Sequence, residues 1–232
     1  MIVSRNAHDR CDFLIIGAGA AGLAAAVSYA RGCGGCALVL DANAEAGKKI
    51  AATGNGRCNL SNTGADGYAM TRSFFESLGI VLSVDDGRVY PRNRQAACVR
   101  RALIAEAENL GVRILASTRV TAARAEGGGF VVSAKTESPR REASQREKSE
   151  TARTFFSERL LIASGGKCTP AYGNLGDGFG FATKFGHSVK SILPVLVPLV
   201  YAERERKAFA VLKGVRARAK AELTRDGIVV AS

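Results

Sequence analysis

Gly17, Gly19 and Gly22 form G-x-G-x-x-G, and a carboxylate, Asp41, follows them. In this pattern the first glycine permits a tight turn and the second lets the backbone approach a pyrophosphate. The third lets a helix pack close to its strand. Asp41 stands at the offset where an acid accepts hydrogen bonds from a ribose hydroxyl. Gly47, Lys48 and Lys49 come next and offer an amide and two cations beside a phosphate. The run Thr53–Asn59, TGNGRCN, is a compact loop in which Gly54, Asn55, Gly56, Arg57, Cys58 and Asn59 crowd together. Its amides can lie against a phosphate or an electron-rich ring, and Arg57 can stabilise negative charge on such a ring.

Two further groups carry chemistry less well. Cys33 and Cys36 form C-G-G-C. A structural zinc needs four ligands, and no second C-x-x-C or H-x-x-x-H exists, so the pair reads as small residues in a turn, with a redox pair as the alternative. His187 follows Gly186 as a lone loop histidine, which is more often structural than a general acid or base.

The elements that must hold these residues follow from periodicity. Phe13–Ile16 is a short apolar run suited to a strand buried on both faces. Ala20–Arg31 reads as a helix of small residues stopped by Gly32, with its N-terminal amides and dipole facing the phosphates. Ala37–Leu40 is a second strand ending at Asp41. Beyond the Gly-rich stretch, 72–78 reads as a short helix and 79–84 as a strand, with Asp85-Asp86-Gly87 turning into a strand over 88–90. Gln95–Leu110 places Val99, Leu103, Ala107 and Leu110 on one helical face, ended by Gly111. A strand over 112–115 precedes a hairpin of 119–125 and 129–134 about Glu126-Gly127-Gly128. The polar stretch 136–151 reads as an exposed loop. A strand over 154–164 ends in Ser164, Gly165 and Gly166, where open α/β sheets place ligands. Asp177 is expected to cap a helix over 178–185. Pro194 and Pro198 break the next apolar run and suggest a crossing into another domain, where 208–222 and 228–231 begin sheet-like material.

Composition bounds the function. A 232-residue chain with 47% hydrophobic and 23% charged residues fits a soluble globular protein of one large domain, or one plus part of another. Its 33 Lys+Arg against 21 Asp+Glu give a net charge of +12, clustered over 135–159 and 204–225. Aromatics are not interleaved with those runs, so a nucleic-acid stacking platform is disfavoured and the charge reads as solvated surface. The apolar run 13–30 is rich in Gly and Ala, and Asp9 and Asp12 spoil a positive flank. Neither a signal segment nor a membrane span is therefore expected. Six scattered cysteines read as thiols, and a cytoplasmic location is expected.

Several motifs together resemble one family. GAGAAGL, then D-x-N-x-x-x-G-K-K, then TGNGRCNLSN resemble bacterial and archaeal FAD-dependent, NAD(P)/FAD-dependent oxidoreductases of the aminoacetone-oxidase-like and bile-acid-dehydroxylation-reductase-like kind. GRVYP over 87–91, ASGG over 163–166, GDG over 176–178, Gly186-His187 and LPVLVPL over 193–199 match the family in order. The resemblance implies an α/β fold: a Rossmann-like FAD-binding domain, with a parallel sheet, helices and a β-hairpin or meander crossover, plus the start of an inserted, mainly β domain. It implies that residues 1–191 form the N-terminal part of the FAD domain and 192–232 open the insert.

It further implies FAD as cofactor, with NAD(P)H as an electron donor. The diphosphate would lie on Gly17, Gly19, Ala20, Ala21 and Gly22, the ribose on Asp41, and Lys48 or Lys49 would offset phosphate charge. The loop Gly54, Asn55, Gly56, Arg57, Cys58, Asn59 would face the flavin, Val120 would offer backbone contacts to adenine, and Ser164, Gly165 and Gly166 would pass near the dinucleotide. The partner is then a small-molecule substrate. Relative to the family, the segment 63–71 is short and the chain ends early, so a fragment or a shortened relative is expected. Two other readings stay open on the residues alone. One is an NAD-dependent dehydrogenase, since Asp41 suits NAD equally well. The other is an inactive basic fragment of a flavoprotein that binds polyanions.

Overall fold

A computed structural model of the chain describes residues 9–138, 149–168, 173, 175–193, 203–212, 215 and 222–231. The chain divides into two compact units, Met1–Ser191 and Ile192–Ser232.

The first unit is built on a six-stranded sheet. Its strands are β1 (Arg10–Ile16), β2 (Ala37–Leu40), β6 (Arg113–Leu115), β7 (Thr118–Glu126), β8 (Gly129–Ser138) and β9 (Ser149–Ile162). Their order is β6-β2-β1-β9-β8-β7. β1 pairs in parallel with β2 and β9, and β2 with β6. β7, β8 and β9 pair antiparallel. β9 belongs to both halves: residues up to Ser157 pair with β8, and Phe156 onward with β1. This one long strand joins the parallel dinucleotide-type sheet to the antiparallel hairpin in a single α/β fold. Parallel strands are covered on both faces, and all four residues of β2 are buried.

One face is covered by α1 (Ala20–Cys33) and α4 (Ala96–Asn109). α4 buries Ala96, Val99, Leu103 and Ala107 at helical spacing. Ile15, Leu23, Val27, Val39, Val99 and Leu103 share one apolar cluster on this face. Arg31 of α1 closes on Glu106 of α4 at 2.7 Å. The other face buries Leu14, Ile16, Leu38, Leu40, Val132 and Phe155, together with Phe181 of α5 (Asp177–Lys184). A short helix, α2 (Lys48–Ala52), follows β2. A small antiparallel sheet of β3 (Ser61–Asn62), β5 (Arg88–Pro91) and β4 (Leu82–Asp85) and a helix α3 (Tyr68–Ser77) complete the unit. Asp86 and Gly87, at φ 50° and 71°, make the β4–β5 turn, the both-positive pattern that matches strand twist.

The second unit, taken by itself, contains α6 (Glu203–Phe209), a 3₁₀ turn over Ala210–Leu212 and a hairpin of β10 (Leu223–Arg225) and β11 (Ile228–Ala231). Pro194 and Pro198 lie outside the described residues.

Several elements differ from expectation. Gly32 does not end α1; the helix runs to Cys33, and Gly34 terminates it at φ 63° with its N–H donated to the Ala30 carbonyl. The left-handed cap is what demands glycine there. The segment 136–151 is not wholly loop. β8 extends to Ser138 and β9 starts at Ser149 because Thr136, Glu137 and Ser138 continue the ladder to Thr151, Glu150 and Ser149. Residues 208–212 are helical, following the strong helix formers ERERKA. Asp177 is not the cap of α5. Gly176 holds that position at φ 78°, and Asp177 is the first helical residue.

Candidate functional site

The glycine turn after β1 is tied down before anything binds it. Ala18 donates its N–H to Asp41 Oδ2 at 2.6 Å and accepts from the Gly47 amide at 2.7 Å. Gly17 donates to the Leu40 carbonyl at 2.8 Å. Each glycine of the motif has its own physical task. Gly17 sits at φ 106°, and a Cβ there would meet the Ala163 carbonyl oxygen at 2.6 Å. A Cβ on Gly22 would collide with the Gly17 carbonyl oxygen, well inside the 3.0 Å that real Cβ contacts respect. Gly19 differs: a Cβ there would have nothing within 4 Å. Gly19 is the N-cap of α1, and no side chain caps the helix. The first amides of α1 have no intrahelical partner, and they open onto the space beside Gly19.

That space is a cavity of about 730 Å³ at the carboxyl ends of β1, β2 and β9, the size range of small-molecule and cofactor sites. It is lined by Gly17, Gly19, Ala20, Ala21, Asp41, Lys48, Lys49, Cys58, Asn59, Val120, Ser164 and Gly165. These twelve sequence candidates therefore meet in one place. Gly22 lies beneath them as packing. Gly54, Asn55, Gly56, Arg57 and Gly166 do not line it. Arg57 bonds back to the Gly54 carbonyl at 3.2 Å and stacks over the Tyr90 ring at 5.3 Å, and Arg94 stacks over the same ring at 4.5 Å. The loop 53–59 is thus shaped around Tyr90. Gly54, Asn55, Gly56 and Cys58 all have positive φ.

Asp41 is buried, at 8% exposure. Besides Ala18 it accepts from the backbone and side-chain nitrogens of Asn43, at 2.7 and 3.0 Å. Its carboxylate lines the cavity and also clamps the glycine turn to the end of β2. The Asx turn, in which Asp41 accepts from the Asn43 N–H two residues on, is written in the D-x-N spacing, whereas the clamp on Ala18 is not. Arg119 and Asp177 join across the cavity lining at 3.0 Å. Neither was singled out as a cavity residue, because β7 and α5 meet only in three dimensions. Ser164 Oγ is shielded and has no hydrogen-bond partner among the described residues. Cys58 is buried, and that burial pushes its thiol pKa up. His187 is exposed and outside the cavity lining, and Cys33 and Cys36 are exposed thiols at the far end of α1. Among the described residues no cluster of three or more His, Cys, Asp or Glu could hold a metal, and no helix is long and apolar enough to cross a membrane.

A parallel sheet, a glycine turn opening a helix and an acid ending the second strand define a dinucleotide-binding α/β protein. Searched against family models, the sequence matches none. Against individual proteins, it is 34% identical over 226 residues to the 3-dehydro-bile acid delta(4,6)-reductase of Clostridium scindens (strain ATCC 35704 / DSM 5676 / VPI 13733 / 19). That alignment takes in 89% of this chain and 51% of the relative, so the chain spans about half the relative's length. This likeness, together with the sequence motifs, supports an FAD-dependent oxidoreductase family for the chain. Among solved structures, BexE, described with oxidation during BE-7585A biosynthesis, gives a TM-score of 0.48 at 20% identity, over 68% of this chain and 32% of that one. CabE, an aromatic hydroxylase from angucycline biosynthesis, gives 0.47 at 18% identity, over 68% and 31%.

Proposed function

We propose that the chain binds FAD in the cavity at the strand ends and serves an oxidoreductase that reduces a small organic substrate, with NAD(P)H as the electron donor. The observation that carries this reading is the open space at Gly19, beside uncapped helix amides, in a turn whose other two glycines are sterically closed. A ligand that brings a diphosphate against backbone N–H groups suits that space. Ser164 and Gly165, at the end of β9, line the same cavity.

On this reading Gly19, Ala20 and Ala21 bind the diphosphate, and Lys48 and Lys49 balance its charge. Asp41 retains capacity to accept from a ribose hydroxyl while it holds Ala18. Val120 borders the adenine end, and Ser164 and Gly165 border the ribityl and flavin end. Bound FAD supplies the exchange of two electrons. The protein's part is to bind, orient and exclude water. Cys58 and Asn59 are the members of the TGNGRCN loop that reach the cavity, while Arg57, stacked on Tyr90, fixes the loop's shape. Residues 1–191 carry the cofactor site and 192–232 open a substrate-side domain. A cytoplasmic location agrees with six free cysteines. Likeness to a reductase supports a reduction rather than a hydroxylation.

The test is the absorption spectrum of the purified protein and the mass of what denaturation releases. Visible flavin bands and released FAD are expected. A colourless protein that binds NADH would overturn the proposal in favour of a nicotinamide-dependent dehydrogenase.

A further inference from the structure

The cavity lining is of two chemical kinds. One is the backbone cradle of Gly19, Asp41 and Ser164. The other is formed by Ile50, Cys58, Leu60, Phe75, Val99 and Leu103, from α2, the loop after it, α3 and α4. All six belong to, or pack against, the apolar cluster on the α1/α4 face of the sheet. Val99 and Leu103 are only 1% exposed, yet both line the cavity. Close-packed interiors hold few voids larger than a water molecule, and a core that leaves large side chains facing empty space gives up contact energy. Here the unfilled volume is continuous with an opening to solvent, so a ligand can reach it.

None of these six side chains carries a charge; Lys48 and Lys49 of α2 line the same cavity. The nearby hydroxyl of Thr53 is already spent on the Ile50 carbonyl at 2.8 Å. The Cys58 thiol bonds to Thr53 and is kept protonated by burial. A strongly polar group buried against these six side chains would lose its water and gain no partner from them.

We infer that the α2/α3/α4 wall of the cavity is a separate binding site for an uncharged, hydrophobic small molecule, and that it holds the apolar body of the substrate. The inference rests on the reading that the backbone cradle holds the dinucleotide. It goes further by assigning the substrate class to residues of this chain.

Nile red, a neutral apolar fluorophore, tests it in titrations of the full chain with and without FAD. Wild-type protein should show saturable, blue-shifted emission that saturating FAD does not remove. Val99→Phe, which fills the site from α4, should weaken the saturable component at least tenfold. Ala52→Phe does the same from an exposed wall position, so it decides the matter if the core variant does not fold. Absence of saturable binding, full displacement of the probe by FAD, or wild-type affinity in folded Val99→Phe or Ala52→Phe protein would each overturn the inference. Flavin absorption is read independently in the same samples. Probe binding without flavin uptake would therefore defeat the cofactor reading alone, and displacement by bound FAD would defeat only the second site.

Discussion

Replacing Gly19 with valine separates ligand space from folding. Gly19 has φ −80° and ψ −170°, extended backbone that any L-residue adopts. Its Cβ would meet nothing within 4 Å, so the folded protein has no clash to relieve. Gly→X changes at unstrained positions tend to stabilise slightly, by about 0.4–1 kcal/mol, through the unfolded chain. We expect the urea midpoint of Gly19→Val to stay within about 1 kcal/mol of wild type. Its three-carbon side chain, however, projects into the space assigned to the diphosphate. Losing even two backbone hydrogen bonds to an anion, at about 1.5–3 kcal/mol each, weakens binding by at least ~100-fold. Gly22→Ala is the opposite control. Its single methyl meets the Gly17 carbonyl oxygen well inside 3.0 Å, and overpacking costs about 1–3 kcal/mol or more, so stability falls before binding is reached. Equilibrium unfolding and flavin titration on both variants suffice. If Gly19→Val folds and binds FAD with wild-type affinity, the diphosphate does not lie at this turn.

Asp41→Asn should cost about 2 kcal/mol in urea unfolding. It replaces a carboxylate that accepts three hydrogen bonds with an amide that can oppose only some of those donors. Timed alkylation with peptide mapping at mildly alkaline pH should label exposed Cys33, Cys36 and Cys168 first and Cys11 and Cys58 last, because desolvation raises the Cys58 pKa and pushes Cys11 up to about 12. Since the folded pKa of Cys11 lies above its ordinary 9.0, the stability it contributes is complete below pH 9 and is lost as pH rises towards 12; the alkaline decline in unfolding midpoint should be shallower in Cys11→Ala. Arg119→Ala should change stability by less than about 1 kcal/mol, because its pair with Asp177 is half-exposed. It should still weaken dinucleotide binding, measured by titration at low ionic strength.

What the sequence disclosed follows how local each signal is. β1, α1 and β2 were legible because apolar runs, a glycine turn and an acid lie in one short stretch, and helix and strand periods there do not compete. The end of α1 was misplaced by two residues, since Gly32 and Gly34 are equivalent in sequence and only the left-handed cap distinguishes them. The double use of β9 was not legible. Its change of partner from β8 to β1 between Ser157 and Phe156 depends on which strands arrive beside it. The site divides the same way. The lining role of Asp41, Lys48 and Lys49 was readable from spacing, whereas the Arg119–Asp177 pair and the α2/α3/α4 wall exist only once distant segments meet. Arg57 carried the strongest chemical expectation in its loop, yet Tyr90, a residue far along the chain, holds it away from the cavity lining.

The turn after β1 is fixed from several sides, and this bears on how a cofactor would bind. Ala18 is held by Asp41 and Gly47, Gly17 by Leu40, and Gly17 lies too close to Ala163 for any side chain, while Ala163 itself donates to the Ile16 carbonyl at 2.8 Å. Gly22 then locks the first turn of α1 onto Gly17. A loop constrained in this way, with Gly19 itself accepting from the Leu23 amide at 3.0 Å, keeps its amides in place without a ligand, so binding need not order it, and that lowers the conformational cost of association. Of the three motif glycines, Gly19 is the one with open space beside it, and it is where a ligand must come closest. The loop 53–59 follows a different plan, held by its own turn bonds from Arg57 to Gly54 and from Cys58 to Thr53 and by the stacking of Arg57 on Tyr90. Ligand-dependent protection from hydrogen exchange should therefore appear at the first amides of α1, Ala20 and Ala21, and be nearly absent at Gly17 and Ala18, whose N–H groups are already bonded to Leu40 and Asp41 before the cofactor arrives.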